Sequence, residues 1–157
     1  MTTILAIDPG NEESGWCLYH TDGSVFGSGV KPNEIMLEEI RHSAADDLAI
    51  ERIASYGMAV GREVFETCEW VGEFRGVWRL RCKSAHLIYR KDVKMHLCGS
   101  PRAKDANIRQ ALIDLFGGKE KAVGRKASPG PLYGIKSHAW PALGVAVTAA
   151  QHIKDAA

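Results

Sequence analysis

The residues of this sequence best suited to chemistry are two acids embedded in apolar runs. Asp8 ends the run at residues 4–7 and precedes Pro9-Gly10, a pattern typical of a buried strand that delivers a carboxylate to a sharp turn. Glu51 lies inside a second apolar run, residues 48–53. A buried carboxylate is unfavourable unless a positive group meets it. Carboxylates on neighbouring strands would suit a divalent cation, so the pattern points to metal-assisted phosphodiester chemistry; for Asp8 alone, a surface turn is the alternative.

These two acids also carry a family resemblance. The segment from Ile4 to Gly15, Ile-Leu-Ala-Ile-Asp-Pro-Gly-Asn-Glu-Glu-Ser-Gly, followed by Ala49-Ile50-Glu51, resembles the RuvC-type Holliday junction resolvases of the ribonuclease H-like superfamily. Residues 53–58 resemble the phage-borne branch, and the resemblance spans nearly the whole chain. It implies an α/β fold with a ribonuclease H-like mixed β-sheet of about five strands, the first three antiparallel, flanked by helices.

Length and composition predict one domain over residues 1–157. With 45% hydrophobic residues the chain can build a real core, and its formal net charge of +1 excludes no class of partner. The four cysteines have no paired spacing, which favours structural thiols over a zinc site. No stretch is as long and apolar as a membrane span, and the first residues lack a signal-peptide layout. We therefore expect a cytoplasmic protein, of a bacterial cell or a phage-infected host, without membrane contact.

Periodicity and turn residues predict the order of the elements. Strands are expected at 3–8, 15–20, 24–30, 48–53 and 86–89, with a hairpin turn at 21–23. Helices are expected at 33–41 with Asn33 as cap, at 61–79, at 92–97, from Ser100-Pro101 to Gly117-Gly118, and from about His138 to His152. Between the last two lies a glycine-rich, basic loop, residues 117–134.

The helix at 61–79 carries two apolar stripes. One would face the sheet and comprises Val60, Val64, Cys68, Val71 and Trp78. The second comprises Trp70, Phe74 and Val77. The second stripe is either part of a wide core or the interface of a homodimer, and both interpretations stay open.

By resemblance, Asp8 bridges two Mg²⁺ ions and Glu51 binds one of them, with Mn²⁺ able to substitute. The family completes this site from the start of its last helix, and His138 falls on the first of those ligand positions. Pro141 falls on the second, and proline cannot bind a metal. Three explanations stay open: another acid substitutes, the metals are held more weakly, or the protein binds DNA without cutting it. For His138 itself, a capping or surface role is the alternative.

The helix after Ser100 offers two further candidates. Lys104 resembles the family's active-site lysine, which would contact phosphate as a compact point charge. Asp105 lies beside it in the first turn, where an acid can ligate a metal or act catalytically. An acid at this position can also simply complement the helix dipole.

A DNA surface is predicted from basic residues spread between residues 75 and 126. A mobile, basic, glycine-rich segment suits a phosphate backbone that is tracked rather than read. Tyr56 and Met58 follow the Glu51 strand, where the family carries a loop that probes the opened junction; Tyr56 would stack on an unpaired base or pack under the loop. The basic residues are Arg75, Arg79, Arg81, Lys94, Arg102, Arg109, Lys119, Lys121, Arg125 and Lys126.

Together these observations predict a homodimeric, Mg²⁺-dependent endodeoxyribonuclease that cuts four-way (Holliday) or branched DNA junctions by two-metal phosphodiester hydrolysis. A four-way junction has approximate two-fold symmetry, so a two-fold dimer would present one site to each of two opposing strands. Two alternatives stay open. One is a junction-binding protein with weak or no nuclease activity, which Pro141 favours. The other is a ribonuclease H-like nuclease that acts on other nucleic acids, because a fold does not fix the substrate.

Overall fold

A mixed five-stranded sheet forms the centre of the protein, for which a computed structural model describes residues 1–157. The strands are β1 (Thr3–Asp8), β2 (Glu13–His20), β3 (Val25–Pro32), β4 (Asp47–Arg52) and β5 (His86–Tyr89), in the spatial order β3-β2-β1-β4-β5. The first three pair antiparallel, and β4 and β5 run parallel to β1. This arrangement confirms the predicted sheet. A separate two-stranded hairpin joins β6 (Gly124–Arg125) to β7 (Ser128–Pro129).

Helices cover both faces of the sheet. They are α1 (Asn33–His42), α2 (Arg62–Arg79), α3 (Arg90–Cys98), α4 (Asp105–Leu115), α5 (Lys119–Ala122) and α6 (Ala139–Ala156). Alternate residues of β1 enter different cores, because side chains along a strand point to opposite faces. Ile4 and Ala6 pack in the core that contains α6, whereas Leu5 and Ile7 pack with α1 and α2. No helix combines the length and the apolar character that crossing a membrane requires.

In α2 the second apolar stripe is part of a wide core, the first of the two interpretations, and the predicted dimer interface on this stripe is wrong. Phe74 and Trp78 are fully buried in the core, and Trp70 and Val77 pack against that core. Cys68, predicted to face the sheet, is exposed. The physical reason is helical geometry: Phe74 lies three residues after Val71 and four before Trp78, so it continues the sheet-facing stripe.

Two boundaries in the second half of the chain also differ from the prediction. The helix α4 begins at Asp105 instead of Ser100-Pro101, because the backbone N–H of Lys104 donates to Asn107 Oδ1 at 2.9 Å and fixes the first turn there. The segment predicted as a glycine-rich loop at 117–134 contains α5 and the β6–β7 hairpin. Ala122 and Leu132 from this segment are buried in the core. It is therefore an ordered part of the fold that carries its basic side chains on the outside.

Candidate active site

Asp8 and Glu51 lie side by side at one edge of the sheet. The strands β1 and β4 are parallel and pair Ile7 with Ile50, so the next residue of each strand ends at the same edge. Both acids lie on the sheet face covered by α6, since Asp8 and Glu51 follow Ala6 and Ala49 of that core by two residues each. Each residue is only 8% exposed. The structure therefore brings together the two acids that the sequence singled out.

Burial of these acids makes their ionised forms unfavourable. The pKa of Glu51 is raised to about 7, first by burial and then by the neighbouring charge of Asp8, while Arg90 opposes both effects. The pKa of Asp8 is also raised, mainly by burial, although His138 opposes the shift. An excess of negative charge with little compensation is the environment in which a cation would be stabilised.

Arg90 supplies the compensating charge, and sequence reasoning missed it. Its Nη1 donates to Glu51 Oε2 at 3.2 Å, and its Nη2 donates to Asp105 Oδ1. Arg90 directly follows β5, and β5 pairs in parallel with β4 so that Ile88 lies opposite Glu51. The one signal in the sequence was the position of Arg90 directly after the strand predicted at 86–89, whose parallel pairing with β4 was not predicted.

His138 reaches Asp8 because β2 carries a glycine opposite it. Gly15 pairs with Asp8 across β1 and β2, and a side chain at Gly15 would overlap the backbone carbonyl of His138. The absence of a side chain lets the first turn of α6 lie directly on β2. His138 Nδ1 is 3.0 Å from Asp8 Oδ2, and the His138 side chain is 62% exposed. Ser137, just before it, adopts a left-handed backbone with φ of 49°, a strained conformation of the kind that concentrates at functional sites.

A buried polar network fixes the loop that follows Asp8. Ser14 donates to Asn33 Oδ1 at 2.7 Å, and Asn33 Nδ2 donates to the carbonyl of Gly10 at 2.8 Å. Asn33 was predicted to cap α1, but it is the first helical residue and is completely buried. Its side chain thus ties the start of α1 to the β1–β2 turn beside the site.

A cavity of about 460 Å³ opens next to these residues, between α3, α4 and the start of α6. Asp105 lines it, as predicted for a first-turn acid near the active edge, whereas Lys104 is exposed and makes no ion pair. The guanidinium of Arg109 lies 4.8 Å from the Trp140 ring centre and forms part of the wall. The lining residues are Glu51, Arg90, Val93, Asp105, Ala106, Ile108, Arg109, Ser137, His138, Trp140 and Pro141.

The two buried carboxylates at this edge, Asp8 and Glu51, supply oxygen ligands of the type that a hard divalent cation prefers. No three side chains of the His, Cys, Asp and Glu types are grouped closely enough to hold a metal. The assignment of Asp8, Glu51 and His138 as metal ligands stays a prediction. Among these three residues, the imidazole of His138 contacts the carboxylate of Asp8. Pro141 lines the cavity at the third position of α6, so this turn offers no second ligand there.

The predicted DNA-contacting residues occupy several places. Tyr56 and Met58 are 63% and 74% exposed in a tight turn directly after β4, on the active-site edge. Arg79 and Arg81 lie at the far end of α2, where Arg81 Nη1 donates to the carbonyl of Ala45 at 3.3 Å. That carbonyl precedes β4, at the edge opposite Glu51, so these two arginines are remote from the acids. Of the other predicted basic residues, Arg75 and Lys94 are half-buried, and the exposed ones are Arg102, Arg109, Lys119, Lys121, Arg125 and Lys126.

Comparison with known proteins identifies the fold. The Thermus thermophilus RuvC structure matches with a TM-score of 0.74 and 16% sequence identity, over 98% of this chain and 96% of that one. Thermus thermophilus RuvC in complex with a Holliday junction substrate matches with a TM-score of 0.70 and 15% identity, over 99% and 97%. No family model and no curated protein sequence matches the chain. The chain therefore has the ribonuclease H-like fold of RuvC, which the resemblance of its sequence predicted.

Proposed function

We propose that this protein is a metal-dependent endonuclease that cuts four-way or branched DNA junctions. The observation that carries the proposal is the pair of buried acids, Asp8 and Glu51, at the exposed edge of a RuvC-like sheet. The similarity to a RuvC structure that contains a Holliday junction substrate supports junction DNA as the substrate class. Placement in the phage-borne branch rests on the resemblance of residues 53–58.

The residues of the site divide the work of hydrolysis between them. Bound Mg²⁺, two ions per site by resemblance, would activate water and stabilise charge on the phosphate. Asp8 and Glu51 would hold the metals, and His138 would add a neutral nitrogen ligand through the ring atom that Asp8 leaves free. Lys104, exposed at the start of α4, would contact a phosphate of the DNA. Tyr56 would stack on a base unpaired at the junction, because its ring is exposed on the same edge.

One assay tests this function against its competitors. Purified protein is given labelled four-way junction, linear duplex and RNA–DNA hybrid, each with and without Mg²⁺. Symmetrical, Mg²⁺-dependent nicks in the junction are the expected result. Binding without cuts would favour the junction-binding alternative, for which the placement of Pro141 in the cavity wall is the motivating observation. Preferential cutting of the hybrid would favour a nuclease for other nucleic acids.

We expect His138 to set the metal preference of the site. Imidazole is a better ligand for Mn²⁺ than for Mg²⁺, which prefers oxygen. The variant His138→Ala should lose about tenfold or more in Mn²⁺ affinity, measured by calorimetry, whereas His138→Asp should restore binding with a preference for Mg²⁺. His96→Ala, which removes a histidine on α3, is the matched control. Unchanged Mn²⁺ affinity in His138→Ala would show that His138 is not a metal ligand and only lies at the start of α6. Asp105 would then be the leading candidate for the third ligand.

We also propose that the protein is a homodimer that uses the outer face of α2 in place of the buried Phe74 stripe. Phe65 and Leu80 are 61% and 75% exposed on this face. Between them, Gly72 and Gly76 lie one helical turn apart, and nothing lies within 4 Å of a Cβ placed on either. A glycine inside a helix costs about 1 kcal/mol relative to alanine. Since no contact within the chain requires these glycines, close approach of a second α2 accounts for them.

The dimer prediction is tested by replacing one of these glycines. Gly76→Gln should give a folded monomer by light scattering, with nicks no longer paired across the junction, because a long side chain blocks the approach. The monomer itself should not be destabilised, since glutamine favours a helix more than glycine does. The control is Phe26→Gln, which changes an aromatic side chain on β3 that is about as exposed as Phe65 of α2. This variant should stay dimeric. A wild-type protein that is monomeric at micromolar concentration would contradict the proposal.

A further inference from the structure

Arg90 is the one arginine or lysine that contacts the carboxylates of the candidate active site directly. Its guanidinium bridges Glu51 at the end of β4 and Asp105 at the start of α4. Asp8 lies near enough for its charge to interact with that of Arg90. The side chain of Arg90 is 30% exposed, so its charge acts from a partly desolvated position where it is weakly screened. Arg109, the other arginine in the cavity wall, lies over Trp140 and pairs with no carboxylate.

We propose that Arg90 is a positioning residue that occupies one of the cation positions of this site, so that the DNA-free chain binds one divalent ion. The inference rests on the proposed metal-dependent function and refines it. It assigns to Arg90 a role that neither the sequence motifs nor the fold assigns.

The charges at the site support a single ion. Ionised Asp8, Glu51 and Asp105 together with the guanidinium leave two uncompensated negative charges, which one divalent ion neutralises. A second ion in the same site would bring the total above neutrality and would lie close to the guanidinium, and repulsion between charges a few ångströms apart is strong where water is scarce. Without the guanidinium, one divalent ion would leave one of the three negative charges uncompensated.

The available donor atoms support the same number. Glu51 Oε2 and Asp105 Oδ1 are both engaged by Arg90. This leaves the Asp8 carboxylate, which His138 Nδ1 contacts, and the other oxygen of Glu51 without a bond to the guanidinium. Paired metals about 3.5–4 Å apart need further oxygen ligands around the second ion. The oxygens best placed to supply them are the two that the guanidinium holds.

The test is the number of Mn²⁺ ions bound per chain without DNA, measured by calorimetry and by the electron paramagnetic resonance spectrum. Wild type should bind about one ion with the spectrum of an isolated Mn²⁺. Arg90→Gln should bind about two, with the broadened spectrum of a coupled pair, because neighbouring ions interact magnetically. Arg90→Lys keeps the charge and should stay at one, and Arg109→Gln is the matched control, also expected at one. Arg90→Met provides a second neutral variant, and a melting curve verifies that each variant is folded.

Each outcome is decisive. A coupled pair in wild type, or a single ion in both neutral Arg90 variants, overturns the role of Arg90 and leaves the proposed nuclease intact. No ion bound to wild type or to any variant overturns the metal dependence of the proposed function itself. One ion in wild type and two in the neutral variants would establish that Arg90 occupies one of the cation positions of the site.

Discussion

Asp8→Asn should reduce Mg²⁺-dependent junction cutting by at least about a hundredfold and leave junction binding within about threefold of wild type. Asp8 contacts His138, its charge acts on Glu51, and it is almost completely buried at the active edge. The substitution preserves the shape of the side chain and removes its charge, so the metal loses its predicted bridging ligand. Repulsion between the site and a DNA phosphate should fall at the same time, which protects binding.

The matched control for this change is Asp114→Asn, which alters an exposed aspartate on α4. It should cut the junction at the wild-type rate. Rates come from single-turnover cutting of a labelled four-way junction, and affinities from gel shifts in Ca²⁺. Full activity in Asp8→Asn would disprove the assignment of Asp8 as a metal ligand.

The sequence was sufficient to predict the sheet and its two acids. Short apolar runs that end in acids and turn residues are local signals, and Asp8 and Glu51 combine such signals with a matching family pattern. The parallel pairing of β1 with β4, which brings their carboxyl ends together, agrees with the prediction that the two acids lie on neighbouring strands. The positions of these two acids depend only on where β1 and β4 end, and the end of a strand can be predicted from the local sequence.

Partners across the sheet edge were harder to predict. Arg90 looked like an ordinary residue between a strand and a helix, and only the register of β5 on β4 brings it to Glu51. Asn33 looked like a helix cap, and only the turn after β1 shows that its amide lies beneath Gly10. In α2 the apolar residues were correctly found but divided into two stripes. Thr67, which lies about 100° around the helix axis from Cys68, faces the core in place of the apolar Cys68.

Glu51→Gln should stabilise the metal-free protein while it abolishes cutting. The ordinary pKa of the Glu51 carboxyl is 4.5, and burial followed by the charge of Asp8 raises it to about 7 in the folded protein. Above pH 7 the carboxylate is ionised in both the folded and the unfolded chain, and the folded chain carries the full cost of burying that charge. As the pH falls from 7 to 4.5, the folded chain binds a proton that the unfolded chain does not yet hold, so the free energy of unfolding rises.

The size of this effect follows from the shift in pKa. At pH 8 the variant should gain about 2–3 kcal/mol over metal-free wild type, which corresponds to roughly 5–10 °C in melting temperature for a chain of this length. Glutamine can still accept the hydrogen bond that Arg90 donates to Glu51 Oε2, so the local contact survives the substitution. Melting curves in chelator at pH 5 and pH 8 measure the gain, which should be smaller at pH 5.

The effect of added Mg²⁺ on the melting temperature distinguishes a metal ligand from a buried acid that binds no metal. Wild type should gain melting temperature with Mg²⁺ at pH 8, because binding to the folded chain alone stabilises it, and Glu51→Gln should gain much less. Glu63→Gln, an exposed glutamate on α2, should behave as wild type in both series. A Glu51→Gln protein that melts below wild type in chelator would show that the carboxylate stabilises the fold through Arg90. The burial of Glu51 would then be structural, since an acid kept in place for a metal is expected to destabilise the chain until the metal binds.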